Sequence, residues 1–418
     1  MDKLIKPRFF YGWIVVAACF LTTIAYGLFF SIGVFFKPLQ AEFGWSAALT
    51  SSIHSFHLII FIFSTFIIGW STDRFGPRAT LACGGTLIGL GAILCSRVNS
   101  LLDFYFYYGM ASLGAGIVWV LPASVVQRWF VKARGLTLGI VSAGIGAGII
   151  IYAPVSNHLI TIYGWRASYI IIGASTWVLL IIAALLIESS PEKKGLLPYG
   201  AEEVKQSSHI DQPDSQHDDQ WSFRDALRTR TYWALSSIYF CTLVSIHMVM
   251  IHIIPFAVDI GIDKTDAAAA LGLIGGVSIA GRVLVGALGQ KFGFRRSLIL
   301  CTALCGITFL WLAGIKVLWM LYVFVIVYGF FYGGKVPQLP GLTGQYFHGK
   351  SLATIFGSTY AIALVGGAIG PVIGGLIFDK TGSYHAAFIT GAFFWFIAAT
   401  LAYFIRSPVR IGFKEDSS

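Results

Sequence analysis

Two basic side chains, Arg282 and Lys335, interrupt stretches that are otherwise almost wholly apolar. Each stretch is long enough to cross ~30 Å of hydrocarbon as a helix of about 20 residues. A charge at the centre of such a helix costs ~2.5–3.5 kcal/mol on insertion scales, so it ordinarily faces an aqueous cavity and marks a pathway. At ~1.5 Å per residue, Arg282 falls roughly 22 Å along its span and Lys335 roughly 27 Å along its own, comparable depths slightly past the middle. No Asp or Glu falls deep in any expected span. A positive cavity with no fixed counter-ion attracts anions, and a guanidinium can fork both oxygens of a carboxylate. The chemistry these residues predict is therefore recognition of a small carboxylate. The bland alternatives are that Arg282 serves backbone carbonyls, and that Lys335 snorkels toward a helix end or packs near Gly333 and Gly334.

Other candidate groups are weaker. His247 and His252 lie in one apolar stretch and His54 and His57 in another, groups whose charge changes near neutral pH, although most such histidines are satisfied polar packing. The six cysteines, Cys19, Cys83, Cys95, Cys241, Cys301 and Cys305, all sit in apolar runs without a CxxC pair and read as small buried hydrophobes. No HExxH, GxSxG or Walker A pattern occurs, so neither an enzyme nor a metal or cofactor is expected.

The elements that must position these residues follow from composition. The 418 residues are 56% hydrophobic and 11% charged, against roughly 25% charged in soluble domains, so lipid must be the solvent. Apolar runs predict twelve spans: 10–36, 48–70, 79–97, 101–126, 134–158, 166–187, 231–257, 267–290, 296–315, 317–344, 351–378 and 385–405. The first has no cleavage signature and is expected to be retained. Twelve spans place both termini on one side. Of the 29 Lys and Arg, 21 fall on that side, six on the other and two within spans, so both termini are expected to be cytoplasmic, in a plasma (inner) membrane crossed many times. These basic residues, with a net charge of +10, sit in short loops where they set topology and meet lipid head groups; nucleic acid is not an expected partner.

One long polar stretch divides the chain, giving an N-terminal unit at 1–187, a cytoplasmic linker at 188–230 and a C-terminal unit at 231–418. The linker's end, Trp221 to Arg228, is expected to form a short interfacial helix. The two units repeat each other. Gly69 to Gly76 answers to Gly286 to Gly293, Pro122 to Pro340, Gly139 to Gly357, Pro154 to Pro371 and Trp165 to Tyr384, at offsets of 217 to 219 residues. A duplicated six-helix unit places its substrate near the bilayer midplane, between halves that rock around it. The small residues Gly139, Gly144, Gly146 and Gly148, with Pro154, suit close helix contact.

The segment Gly69-Trp70-Ser71-Thr72-Asp73-Arg74-Phe75-Gly76-Pro77-Arg78, between spans two and three, resembles the signature loop of the major facilitator superfamily, an all-α membrane fold of two six-helix bundles. Asp73 can sit against a helix N-terminus while Arg74 and Arg78 hold neighbouring helix ends, a latch that one conformation closes. The second copy has Gln290 in place of the acid, so latching is expected to be lopsided. Finer features, Phe10-Tyr11-Gly12-Trp13, Arg128-Trp129-Phe130, Arg134-Gly135, Gly164-Trp165-Arg166 and Ala226-Leu227-Arg228-Thr229 with Trp233, resemble the monocarboxylate transporter and oxalate/formate antiporter branch.

That resemblance places the substrate arginine at Arg282. It also matches Trp119, Tyr332 and Tyr360 to pocket aromatics and Leu28 and Ile145 to pocket-lining positions; the tyrosines could donate to a carboxylate while Leu28 and Ile145 meet its alkyl end. Two departures matter. Ser278 stands one turn before Arg282, where proton-coupled relatives carry an aspartate, and Ala363 stands where the oxalate branch carries a lysine. Proton-coupled symport of a short monocarboxylate such as lactate or pyruvate is the expected activity, with the proton on Lys335, on His252 or on the substrate itself. Anion exchange of the oxalate/formate kind, with Lys335 joining Arg282, is the alternative.

Overall fold

A chain solvated by lipid has no water to satisfy its backbone N–H and C=O groups, so its apolar runs must close their hydrogen bonds internally as helices. The computed structural model describes residues 10–45, 47–201 and 220–408 and takes that form. Span one is Gly12–Phe43, span two Ala47–Phe75, span three Pro77–Cys95 and span four Leu101–Trp129. Spans five and six are the two arms of Arg134–Leu186, parted at Gly164, whose φ of 77° and ψ of 165° leave the helical region. After the short helix Phe223–Leu227 come span seven Arg230–Asp259, span eight Lys264–Phe292, span nine Phe294–Ala313, span ten Leu318–Tyr346, span eleven Leu352–Thr381 and span twelve His385–Phe404.

Span one differs from its expected limits. Lys37, Gln40 and Glu42 make its end polar, which suggests a stop near residue 36, but a helix needs no lipid to keep its own hydrogen bonds. It continues to Phe43 and stops at Gly44, whose φ of 66° lets its N–H close on the Gln40 carbonyl. Cys83 is exposed on the outside of the bundle, whereas the other five cysteines are buried as expected. A short helix forms at Phe223–Leu227, with the Ser222 hydroxyl accepting from the Asp225 N–H. Residues 202–219 of the expected linker lie outside the described residues.

The helices make two six-helix bundles that repeat each other in detail. Gly76 (φ 87°) opens span three and Gly293 (φ 91°) opens span nine, the same sharp turn 217 positions apart. In each copy the following arginine reaches the end of the bundle's last helix. Arg78 donates to the Ala184 and Leu185 carbonyls, and Arg295 to those of Ala402 and Tyr403, a basic group serving the orphan acceptors of a helix C-terminus.

Span two packs on span eleven, and span five on span eight, across the seam between bundles. Glycine makes this possible. A Cβ at Gly69 would stand 2.4 Å from the Ala353 carbonyl oxygen, one at Gly139 2.3 Å from that of Arg282, and one at Gly146 2.9 Å from Ile279. Farther along the same stripe of span eight, Gly275 and Gly272 border open space. The bundles thus touch at the end that carries the span two–three turn, here called the latch end, and part beyond Ile279.

Candidate substrate site and latch

Arg282 is 4% exposed and sits where the bundles part. Its Nη1 donates to the Ser142 carbonyl on span five, in the opposite bundle, while its Nε–H is buried without an acceptor. Its guanidinium carbon lies 5.9 Å from the Tyr332 ring centroid. No carboxylate pairs with it among the described residues. Ser278, one turn earlier, donates to the Gly275 carbonyl. The guanidinium therefore combines a backbone contact with an unsatisfied charged donor.

Around it the structure gathers part of the expected set. Tyr360 lies within electrostatic reach of Arg282 and Tyr332. Its ring neighbours Phe356, and Phe356 meets Trp119, which caps the break in span four, edge-on at 6.1 Å. Ile145 lies one turn beyond Ser142 on span five. Leu28 is buried in Gly27–Phe30, the middle piece of the broken span one, where a Cβ at Gly27 would stand 2.3 Å from the Gly148 carbonyl oxygen.

Lys335 is 3% exposed and turns into its own bundle. Its ammonium donates to Thr242 Oγ1 at 3.0 Å and lies 5.8 Å from the Trp395 ring centroid. The Arg282 charge acts on it from nearby. His252 is placed elsewhere: Nε2 donates to the Pro371 carbonyl at 2.8 Å, and the ring lies 5.2 Å from that of Tyr384. That carbonyl belongs to Pro371 within span eleven. His57 hydrogen-bonds with Ser112 and stacks on Phe29. His247 donates to the Leu243 carbonyl, and the buried His54 Nδ1 has no partner.

The latch end is closed by a carboxylate that crosses the seam. Asp73 Oδ1 accepts from Arg128 at 2.8 Å and from the Ala353 N–H at 3.3 Å; Oδ2 accepts from both the N–H and the hydroxyl of Thr354 at 2.7 Å. Ala353 and Thr354 belong to the first turn of span eleven, whose N–H groups have no partner within the helix. The second copy repeats the placement without a charge: Gln290 Oε1 accepts from the Gly135 N–H and Nε2 donates to the Val131 carbonyl. Arg74 does not hold a neighbouring helix end; its guanidinium lies over Trp70 and Phe75 of its own helix, because an exposed arginine gains more from two ring faces than from distant carbonyls. Arg78 holds the end of span six within its own bundle.

Sequence reasoning missed several participants. Arg128, read only as part of a motif, is 55 positions from its partner Asp73, and no spacing signal links them. Tyr26, Phe61 and Tyr239 extend the aromatic group around Tyr360, with Phe61 and Tyr239 at 6.4 and 6.2 Å from its ring. Tyr26 stands beside the break in span one, which the apolar run 10–36 did not reveal.

Comparison with known proteins accords with this geometry. The family model described as Major Facilitator Superfamily matches residues 18–291 and 234–417. Monocarboxylate transporter 12 of Mus musculus is 27% identical over 429 residues, covering 96% of this chain and 86% of that protein. Monocarboxylate transporter 13 of Rattus norvegicus is 28% identical over 396 residues, covering 92% and 86%. Among solved structures, FucP in the outward conformation superposes with a TM-score of 0.72 at 16% identity, covering 95% of this chain and 99% of that one. The human organic anion transporter MFSD10 gives 0.73 at 14% identity, covering 94% and 99%. At such identities the structures speak for the fold, and the family match spans both bundles. The protein belongs to the major facilitator superfamily.

Proposed function

We propose that this transporter carries short monocarboxylates, such as lactate, pyruvate, acetate or formate, by alternating access in step with a proton. One observation carries the reading: Arg282 is buried where the bundles part, with an N–H lacking any acceptor and no acid beside it. A buried donor left unmade costs about 1–3 kcal/mol, more when charged, and an arriving carboxylate oxygen would remove that penalty. Tyr332 and Tyr360 supply phenolic donors nearby, and Ile145 and Leu28 supply apolar surface. Relatives along nearly the whole chain bear the name monocarboxylate transporter, which supports the same substrate class.

Proton coupling rests on charge arithmetic. Moving one net charge through the membrane potential is worth ~2.3 kcal/mol per 100 mV, so an anion entering alone works against a negative interior, whereas anion plus proton crosses neutrally. The units 1–187 and 231–418 rock about Arg282, joined by 188–230, and Asp73 closes the latch end. The bias of basic residues makes that end and both termini cytoplasmic in a plasma membrane.

The test is radiolabelled lactate uptake in proteoliposomes with and without a pH gradient. Arg282→Lys keeps a charge but loses the fork, and uptake should fall by at least about 100-fold. Full retention would refute the substrate assignment. Competition by sugars rather than acids would do the same. Strict dependence on internal carboxylate, with no pH response, would replace symport by exchange.

A further inference from the structure

At the latch end of the C-terminal bundle, where spans eight, nine, ten and twelve meet, lies a cavity of about 450 Å³. Arg295, Arg296, Gln345, Tyr346 and Ser407 line it, and none of its lining residues is acidic. Its walls are fixed from several sides. Gly293, at a φ of 91°, turns span nine into the cavity, and the Phe294 ring seats on span ten so closely that a Cβ at Gly341 would stand 2.7 Å from it. Arg295 is held by the carbonyls of Ala402 and Tyr403 at the end of span twelve.

Within these walls several donors have no hydrogen-bond partner among the described residues. The N–H groups of Phe294, Arg295 and Arg296 precede the first hydrogen bond of span nine, from Ser297 to Gly293, and no side chain caps them. Arg296 makes no hydrogen bond or ion pair among the described residues. Tyr346 is 8% exposed as a residue, its hydroxyl makes no hydrogen bond among the described residues, and the Arg295 charge acts on it. A largely buried tyrosine, an exposed guanidinium and an uncapped helix N-terminus line one space. That set of donors fits a phosphate.

The surroundings choose the kind of phosphate. Phe292 and Tyr403 at the cavity wall are exposed, as are Phe404 beside Tyr403 and Leu300 one turn beyond Arg296. This apolar surface runs from the cavity into the membrane-facing sides of spans nine and twelve, which suits a head group continued by acyl chains and offers nothing to a free ion. The internal repeat also differs here. The position of Arg296 is taken in the first copy by Ala79 and that of Tyr346 by Arg128, which pairs with Asp73.

We propose that this cavity binds the phosphate head group of an anionic phospholipid from the leaflet at the latch end. The inference is independent of the carboxylate reading. The test is native mass spectrometry of the full-length protein in detergent, titrated with phosphatidylglycerol against phosphatidylcholine of the same chains, with uptake and gel filtration confirming folded variants. Wild type should prefer phosphatidylglycerol. Arg296→Gln should lower that preference about tenfold, and Tyr346→Phe, which changes no charge, at least about threefold. Lys291→Gln removes an equal charge from an exposed residue at the end of span eight, on the same side of the bundle but outside the cavity, and should lower it less than Arg296→Gln. Equal losses for Arg296→Gln and Lys291→Gln with no effect of Tyr346→Phe would show diffuse surface attraction and overturn the site. Inorganic phosphate displacing the lipid at millimolar concentration, in a Tyr346-dependent way, would overturn the lipid assignment.

Discussion

Replacing Asp73 by Asn asks whether the closed latch end depends on one carboxylate. The side chain keeps its shape, so an oxygen can still accept from the Thr354 N–H and hydroxyl, but its amide would face the Ala353 N–H donor to donor; the Arg128 bond lies within the N-terminal bundle and does not bear on opening. The loss across the seam is the Ala353 bond, about 0.5–1.5 kcal/mol, and the favourable charge at the start of span eleven, about 0.3–1 kcal/mol. Together these leave about 1–2 kcal/mol, or about 5- to 30-fold in the closed-to-open equilibrium. Hydrogen exchange read by mass spectrometry can follow it. The Ala353 and Thr354 amides are bonded to Asp73 itself, so they would change even if the effect were local. The informative amide is Gly135, which bonds Gln290 across the other seam. Asp73→Asn should accelerate exchange in the peptide containing Gly135 by a comparable factor, because one opening motion breaks both seams. Faster exchange confined to the start of span eleven would make Asp73 a local helix cap and refute the latch.

Two further outcomes follow from the same geometry. Gly139→Ala sets a Cβ against the Arg282 carbonyl, backbone that cannot yield, so spans five and eight must separate; overpacking of about 1–3 kcal/mol should lower the thermal midpoint in detergent and slow uptake, and unchanged values of both would show that the close approach is dispensable. His252→Leu should cost about 1 kcal/mol of stability through the lost bond to Pro371 while leaving the pH profile of uptake unaltered, and a flattened profile would reinstate His252 as a proton carrier.

Which features could be read ahead of the structure depended on the range of the interaction behind them. The spans were legible because burial of backbone in lipid is decided locally, by about 20 apolar residues in a row. The turns at Gly76 and Gly293 and the break at Gly164 fall in gaps between the expected spans, but their positive φ came only from the structure. Span one was misjudged at its end because polarity marks where lipid stops, whereas Gly44 marks where the helix stops. Arg282 stood out by its cost in an apolar run, but nothing in the run told which neighbour its N–H groups would find. The Ser142 carbonyl is 140 positions away and in the other bundle.

Taken alone, the amino-acid order determined that the chain crosses a membrane in twelve helices, that one half repeats the other, and that an arginine and a lysine are buried without a local acid. Those are consequences of composition, period and insertion cost, which act along the chain. The tertiary structure alone decided that Asp73 reaches Arg128 and span eleven, that Lys335 turns to Thr242 while Arg282 keeps a free N–H, and that Arg296 and Tyr346 meet at one cavity. Each of these depends on which helix faces which. That is set by glycine-sized contacts between helices, where a single methyl group changes the answer.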